Sequence, residues 1–218
     1  MSTSGRSLTW SLAASFFALF GMLAVAVAWS PAFRACDSHV SSAVRFEPGW
    51  ATLIDIFSWV SSLGSTPGIA VVATAVALTS LVLGRWRPAV FVLVTLIPGW
   101  LCGRVAKEVV GRARPAGALI SLPGDPSFPS GHALASFLLY GSLAVLALLH
   151  VRGRRERWLL AGSAVAIVVV VGLSRVVLGV HFAGDVLGSW LLGGAWLAVT
   201  SSVYAVQRRP GADADGAG

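Results

Sequence analysis

Six apolar runs set the pattern of this chain, at residues 10–29, 68–83, 89–106, 132–149, 158–173 and 185–206. Each is close to the length a helix needs to cross the hydrocarbon core of a bilayer, about 20 residues. Short polar links rich in Gly, Pro and Arg separate them, so the pattern predicts an all-α bundle of six transmembrane helices. Pro98-Gly99 predicts a kink in the third. The first run is too long for a signal peptide, and Ser30-Pro31 opens a turn where a cleavage site would stand, so a retained span is expected.

Two stretches depart from this rhythm. Residues 30–65 are the least regular, punctuated by Pro31, Pro48 and, just beyond, Pro67. Within them, apolar residues at 50, 53, 54, 57 and 60 have helical spacing, and the aromatics predict a helix lying in the membrane interface. His39 reads as a solvated loop histidine. Residues 107–129 form a polar, Gly/Pro-rich connection. The whole reads as one membrane domain over 1–210, with a disordered tail at 211–218.

Composition fits the same class. The chain is 56% hydrophobic and only 11% charged, with a mean hydropathy of +0.80. Soluble domains are about a quarter charged. A net charge of +7 does not point to nucleic acid here, because no basic arm exists and the cations sit between apolar runs. Lys107 is the only lysine among sixteen cations, and the heavy use of Arg, Ala, Gly and Val is that of a GC-rich bacterial genome. Two cysteines, Cys36 and Cys102, define no metal site or disulfide framework; a bridge is conceivable, and two free thiols are the simpler reading.

Charge placement orients the bundle. Six spans put both termini on one side, together with Arg6, Arg85, Arg87, Arg152, Arg154, Arg155, Arg157, Arg208 and Arg209. These nine cations flank spans in short segments and mark that side as cytoplasmic. The other seven, Arg34, Arg45, Arg104, Lys107, Arg112, Arg114 and Arg175, face outward. Five of these lie around two motifs, which suits an anionic ligand; anionic headgroups would account for Arg34 and Arg45. Arg104 and Arg112 read as secondary.

Three motifs emerge on that outer face. In Lys107-x6-Arg114-Pro115, seven residues are about two helical turns, so the two cations share a helix face, while the proline places Arg114 in extended backbone at or beyond the helix end. In Phe128-Pro129-Ser130-Gly131-His132, Ser130 caps a helix whose N–H groups and hydroxyl make an anion site, and His132 can supply a proton. In Ser174-Arg175-x5-His181-x3-Asp185, a carboxylate four residues from an imidazole can share its helix face, hold one ring nitrogen and leave the other basic. Each motif alone has a plainer reading: snorkelling cations, an ordinary cap, a helix-end His–Asp pair. Their convergence on one face points instead to a histidine nucleophile beside a phosphate clamp. Gly184-x3-Gly188 adds a small-residue packing signal.

In order and spacing, Lys107, Arg114, Pro115, Pro129, Ser130, Gly131, His132, Ser174, Arg175, His181 and Asp185 resemble the signature of the type 2 phosphatidic acid phosphatase (PAP2) family, relatives of bacterial acid phosphatases and vanadium haloperoxidases. The match covers 107–185, and six spans disfavour a soluble haloperoxidase. The resemblance implies a metal-independent lipid phosphatase that needs no cofactor. It makes His181 the nucleophile, Asp185 its orienting acid and His132 the general acid, with Lys107, Arg114, Ser130, Gly131 and Arg175 on the phosphate. The implied partners are membrane lipids and a lipid phosphate: polyprenyl diphosphate, phosphatidic acid or phosphatidylglycerol phosphate. The implied location is the bacterial cytoplasmic membrane, with the site on its outer face and loop 116–128 as the specificity element. A phosphotransferase to a lipid or sugar acceptor and a non-catalytic lipid-phosphate carrier are the alternatives.

Overall fold

The computed structural model describes residues 3–121 and 124–207, and side chains from residue 9 onward. Arg208 and Arg209, on which part of the topology reading rests, and the 211–218 tail fall outside the described residues, as does the side chain of Arg6. Among the described residues there are eight helices and no strand: α1 (Thr3–Trp29), α2 (Pro31–Ala43), α3 (Ala51–Ser62), α4 (Thr66–Val82), α5 (Trp86–Val110), α6 (Gly131–His150), α7 (Arg154–Val177) and α8 (Ala183–Gln207). Five of them, α1, α5, α6, α7 and α8, are long and apolar enough to cross a membrane. A sixth candidate span is composite. α3 and α4 meet at a 44° bend and pass the same test only as a pair. The expected interfacial helix is thus the first half of a bent pair that packs against α7.

The segment expected to be irregular is instead two helices. Ser30 caps α2 by accepting from Phe33 N at 3.2 Å, with Pro31 at the first helical position. The signals that suggested a turn are those of a helix start. α2 ends in a short link to α3, and His39 lies on α2 rather than in a loop.

α6 is the central helix, packed on α5, α7 and α8, while α1 lies along α8. Leu139, Tyr140 and Ala135 of α6 meet Phe91 and Val92 of α5, Val168 of α7 and Tyr204 of α8 in the main core. Small residues let these helices approach: a Cβ on Gly103 would stand 2.3 Å from Leu134 Cδ2. Ser136 and Ser142 of α6 return their hydroxyls to backbone carbonyls, and Thr95 donates across to Thr200 at 2.9 Å, so buried polar groups are bonded without charge. Apolar side chains also point outward, with Val82 86% and Val109 80% exposed, as a lipid-facing surface requires. α5 runs through Pro98 without interruption. Cys36 and Cys102 are both exposed and free.

Candidate active site

The three motifs meet at one end of the bundle, where α5 and α7 finish and α6 and α8 begin. α5 stops at Gly111, which adopts the left-handed conformation that a residue without Cβ reaches most easily (φ 61°). Lys107 is therefore on the last turn, while Arg114 is in the following coil. The shared helix face is not realised; the position of Arg114 beyond the helix end is. The two cations come together through a residue the sequence reading passed over. Asp125 Oδ2 lies 3.0 Å from Lys107 Nζ, and Asp125 Oδ1 accepts from Arg114 Nη2 at 2.7 Å. Burial pushes the Asp125 carboxyl up, but the hydrogen bonds from Lys107 and Arg114 outweigh it and hold the group at about 2.

His181 sits in the turn between α7 and α8, not on a helix, and is 2% exposed. Its Nδ1 lies 3.3 Å from Asp185 Oδ2 across the start of α8, so the pair forms as expected but not as two residues of one helix face. Arg114 Nη1 lies 3.1 Å from His181 Nε2. A guanidinium only donates, so Nε2 is the acceptor and Nδ1 carries the hydrogen toward Asp185. Burial is the main reason the imidazole is pushed down to about 4; the Asp185 hydrogen bond opposes this, and the Arg114 and Arg175 cations add to it. The ring is neutral at ordinary pH, with its Nε2 lone pair aimed at a cation cluster.

Asp185 is fully buried and over-determined. Ser127 Oγ donates to its Oδ2, Phe182 N donates to the same oxygen at 3.0 Å, and Arg112 Nη1 donates to its Oδ1 at 2.8 Å. Arg112, read from sequence as secondary, is itself buried. It bridges Asp185 to Asp37 of α2, again at 2.8 Å, with its guanidinium 3.9 Å from the Phe182 ring centre. Asp37 and Ser41, one turn apart on α2, accept the first N–H groups of α8, from Gly184 and Ala183, each at 2.9 Å. A remote helix thus caps the helix that carries the catalytic acid candidate. The expected Gly184/Gly188 packing face is used inside the chain: a Cβ on Gly184 would stand 2.5 Å from Asp37 Oδ2, and one on Gly188 would stand 2.4 Å from the Phe128 ring.

Ser130 caps α6, its hydroxyl accepting from Ala133 N at 3.5 Å. Its N–H donates to Asp185 O at 3.2 Å, and Ser189 Oγ donates to its carbonyl at 2.9 Å. The Ser130 N–H expected in the anion site is instead used, with its carbonyl, to hold α6 to α8, while its hydroxyl caps α6 as an acceptor and keeps its own hydrogen to donate. The Gly131 N–H remains among the first-turn donors that have no carbonyl partner within the helix. His132, on the first turn of α6, is near enough to Arg175, His181, Arg114 and Lys107 for their charges to act on it. Arg175, 4% exposed at the end of α7, donates from Nη1 to Ser61 Oγ of α3, and its buried Nε has no partner. Ser174 bonds back to Val171 O at 2.6 Å.

Two cavities reach this cluster. One, of about 340 Å³, is apolar and runs between α4, α5 and α6 past Ile69, Leu96, Ile97 and Trp100 to Gly131. The other, of about 200 Å³, opens on the α2 side between Ser38, Ser42, Arg45, Arg114 and His181. Loop 116–128 helps close this end. Arg45 donates to Ala116 O at 2.8 Å, Leu119 N donates to Leu178 O at 3.0 Å, and Phe128 is fully buried. Residues 122–123 of that loop are not described. Among the described residues, no three His, Cys, Asp or Glu side chains converge as metal ligands.

Sequence reasoning missed Asp37, Ser61, Asp125 and Ser127, and ranked Arg112 as secondary. Two signals were present: the Ser30-Pro31 helix start, with Asp37 and Ser41 one turn apart behind it, and a third cation, Arg112, two residues before Arg114. Nothing in the sequence ties Ser61 to Arg175, 114 positions away.

Comparison with known proteins bears on what this arrangement does. The PAP2 superfamily profile matches residues 66–209. Phosphatidylglycerophosphatase B of Bacillus subtilis (strain 168) is 28% identical over 183 residues, spanning 82% of this chain and 88% of that one. An undecaprenyl-diphosphatase of Sulfolobus acidocaldarius is 31% identical over 115 residues, 50% of this chain and 51% of its own length. The crystal structure of a transmembrane PAP2-type phosphatidylglycerolphosphate phosphatase from Bacillus subtilis superposes with a TM-score of 0.75 at 26% identity, over 90% of this chain and 97% of that one.

Proposed function

The chain belongs to the PAP2 superfamily, and we propose that it removes the terminal phosphate from phosphatidylglycerol phosphate or a closely related lipid phosphate through a phosphohistidine on His181. It is an integral membrane protein and a lipid phosphatase. The observation that carries the mechanism is the Arg114–His181 contact, which keeps Nε2 unprotonated and the ring hydrogen on Nδ1.

In this reading Arg114 shifts its hydrogen bond from Nε2 to a phosphate oxygen as substrate arrives. Lys107, Arg175 through its unpartnered Nε, and the Gly131 N–H take the other oxygens, where negative charge persists through the transition state. Nε2 forms a bond to phosphorus as the P–O bond to the lipid breaks, and protonated His132 gives its proton to the leaving oxygen. Asp185 stabilises the positive ring through Nδ1–H, and Arg112 and Ser127 hold Asp185 in place. Neutral His132 then takes a proton from water, which attacks phosphorus and releases inorganic phosphate and neutral His181. Ser130 acts as the cap that fixes His132 and Gly131.

The apolar cavity ending at Gly131 supports a lipid substrate, with chains between α4, α5 and α6 and the phosphate at the helix ends. The similarity to phosphatidylglycerophosphatase B over most of both chains supports the glycerol phosphate headgroup over a polyprenyl diphosphate. Arg85, Arg87 and the arginines at 152–157 lie at the end away from the site, which supports an outward-facing site in a bacterial cytoplasmic membrane.

The test is phosphate release by purified protein in detergent with EDTA, comparing phosphatidylglycerol phosphate, phosphatidic acid and undecaprenyl diphosphate, with His181→Ala as control. Release from the first that the variant lacks is the expected result. Phosphate appearing on an added alcohol rather than in solution would make the protein a phosphotransferase, and equal release by His181→Ala would overturn the mechanism.

A further inference from the structure

Lys107 and Arg114, the two cations proposed to take the substrate phosphate, already hold an anion. Asp125 sets one carboxylate oxygen 3.0 Å from Lys107 Nζ and the other 2.7 Å from Arg114 Nη2. Two oxygens on one centre, shared between an ammonium and a guanidinium, is the contact that two oxygens of a phosphoryl group would make there. The cations need such a partner: their side chains are 4% and 8% exposed, and a buried charge left unpaired is costly. The backbone under the carboxylate is fixed. Arg114 Nε donates to Asp125 O at 2.9 Å, Lys107 Nζ donates to Pro126 O, and Ser127 N donates to Arg112 O at 2.7 Å. The carboxylate itself has a way out. Its side chain is 24% exposed, and Arg104, three residues before Lys107 on α5 and 45% exposed, stands beside it with Nη1 3.8 Å from Oδ2.

We infer that Asp125 is an internal competitor for phosphate: it occupies the Lys107–Arg114 seat between turnovers and turns to Arg104 when a phosphoryl group takes its place. The inference rests on the phosphate-binding role proposed for those two cations. Rotation about the Asp125 side-chain bonds is all the exchange needs, since the carbonyls of Asp125 and Pro126 stay on Arg114 and Lys107. A phosphate monoester carries about −1.5 to −2 charges at pH 7, more than the single charge of a carboxylate, so it has the stronger claim on the seat. Asp125 thus keeps two buried cations paired and aimed while no substrate is bound. It also weakens every anion that uses the seat, substrate and released inorganic phosphate alike, by one common factor. The protein gives up affinity and sheds its product sooner. Arg104, secondary in the sequence reading, becomes the residue that receives the displaced acid.

The full-length protein, purified in detergent, would be titrated with inorganic phosphate by calorimetry, comparing the parent with Asp125→Asn and Asp125→Ala. Loss of the competing charged hydrogen bonds is expected to tighten phosphate binding at least about tenfold. Without phosphate both variants should melt below the parent, and saturating phosphate should recover most of the difference. In hydrolysis, KM for the lipid phosphate and the inhibition constant of inorganic phosphate should fall by that same factor. A merely structural role would lower kcat and tighten nothing. Arg104→Gln should weaken phosphate binding about two- to fivefold, the scale of one exposed ion pair, in the parent but not in Asp125→Asn. Phosphate binding unchanged or weaker in both Asp125 variants, each with a cooperative melt, would overturn the inference. So would an Arg104→Gln effect of equal size in both backgrounds, which would place Arg104 on the phosphate itself. Calorimetry needs no turnover, so the two readings fail separately. Tighter binding with no lipid phosphate hydrolysed would retire the proposed activity and leave the exchange standing; ordinary hydrolysis with unchanged binding would do the reverse.

Discussion

The two ends of this bundle carry similar numbers of cations and treat them in opposite ways. At one end Lys107, Arg112 and Arg175 are buried, and each is tied to a carboxylate, a carbonyl or a hydroxyl. At the other, Arg85 and Arg152 are exposed in short links and, with Arg87, line an open cavity. Burying a charge is expensive unless it is paired and hydrogen-bonded. The buried end therefore carries a set of partners that fix geometry, whereas exposed cations in the links need none. Placement in short loops is enough to orient a membrane protein; a phosphate site needs its cations held.

The sharpest way to break this contrast is at the reacting centre. His132→Ala should lower lipid-phosphate hydrolysis by about 10²- to 10⁴-fold, the usual worth of a general acid–base. It should still allow a phosphoenzyme to form from an aryl phosphate with a good leaving group, detectable by rapid quench. Unchanged turnover of the lipid would remove His132 from the mechanism.

Arg112→Ala comes next. It leaves Asp37 and Asp185 buried without their shared cation, a change that typically costs about 3–5 kcal/mol. A markedly lower thermal midpoint and a large drop in kcat are expected. Arg112→Lys should recover part of the stability but less of the activity, because a single ammonium cannot reproduce the guanidinium geometry. Equal stability in all three proteins would show that the bridge is incidental.

A smaller effect concerns pH. The folded pKa of His181, about 4, is below the ordinary imidazole value of 6.5. Between those values the unfolded chain binds the proton and the folded one does not, so this group's contribution to stability is lost as pH falls from 6.5 to 4. Asp125, held at about 2 against 3.8, adds stability above pH 3.8 that is lost as pH falls toward 2. NMR of ring-labelled histidine, assigned with His181→Asn, should show His181 neutral down to about pH 4. Titration near 6.5 would mean that the ring is solvated.

The smallest effect belongs to the open end. Arg152→Gln alone should leave kcat/KM within about twofold, since no catalytic group is near it. A large loss would tie the two ends together.

The sequence was most informative where the signal is local. Apolar run lengths identified five spans outright and half of the sixth. The α3–α4 pair escaped because neither helix is a span alone; only their 44° junction joins them. The His181–Asp185 spacing was read correctly as a pair and incorrectly as one helix face, because the turn ending α7 is set by Gly179, whose φ of 70° suits a glycine. Lys107 and Arg114 were matched by spacing, yet what brings them together is Asp125, from the far end of a loop.

By itself the sequence determined that this is a membrane bundle, that three polar motifs share one of its ends, and which imidazole and which acid belong together. Run length, charge placement and residue spacing are properties of neighbours along the chain, and periodicity reports them. Only the tertiary structure decided how that end is held. α2 caps α8 from more than 140 residues away, Arg112 links Asp37 to Asp185, Ser61 reaches Arg175, and Arg114 selects the tautomer of His181. Those contacts depend on which helix ends pack together, and no local pattern encodes them.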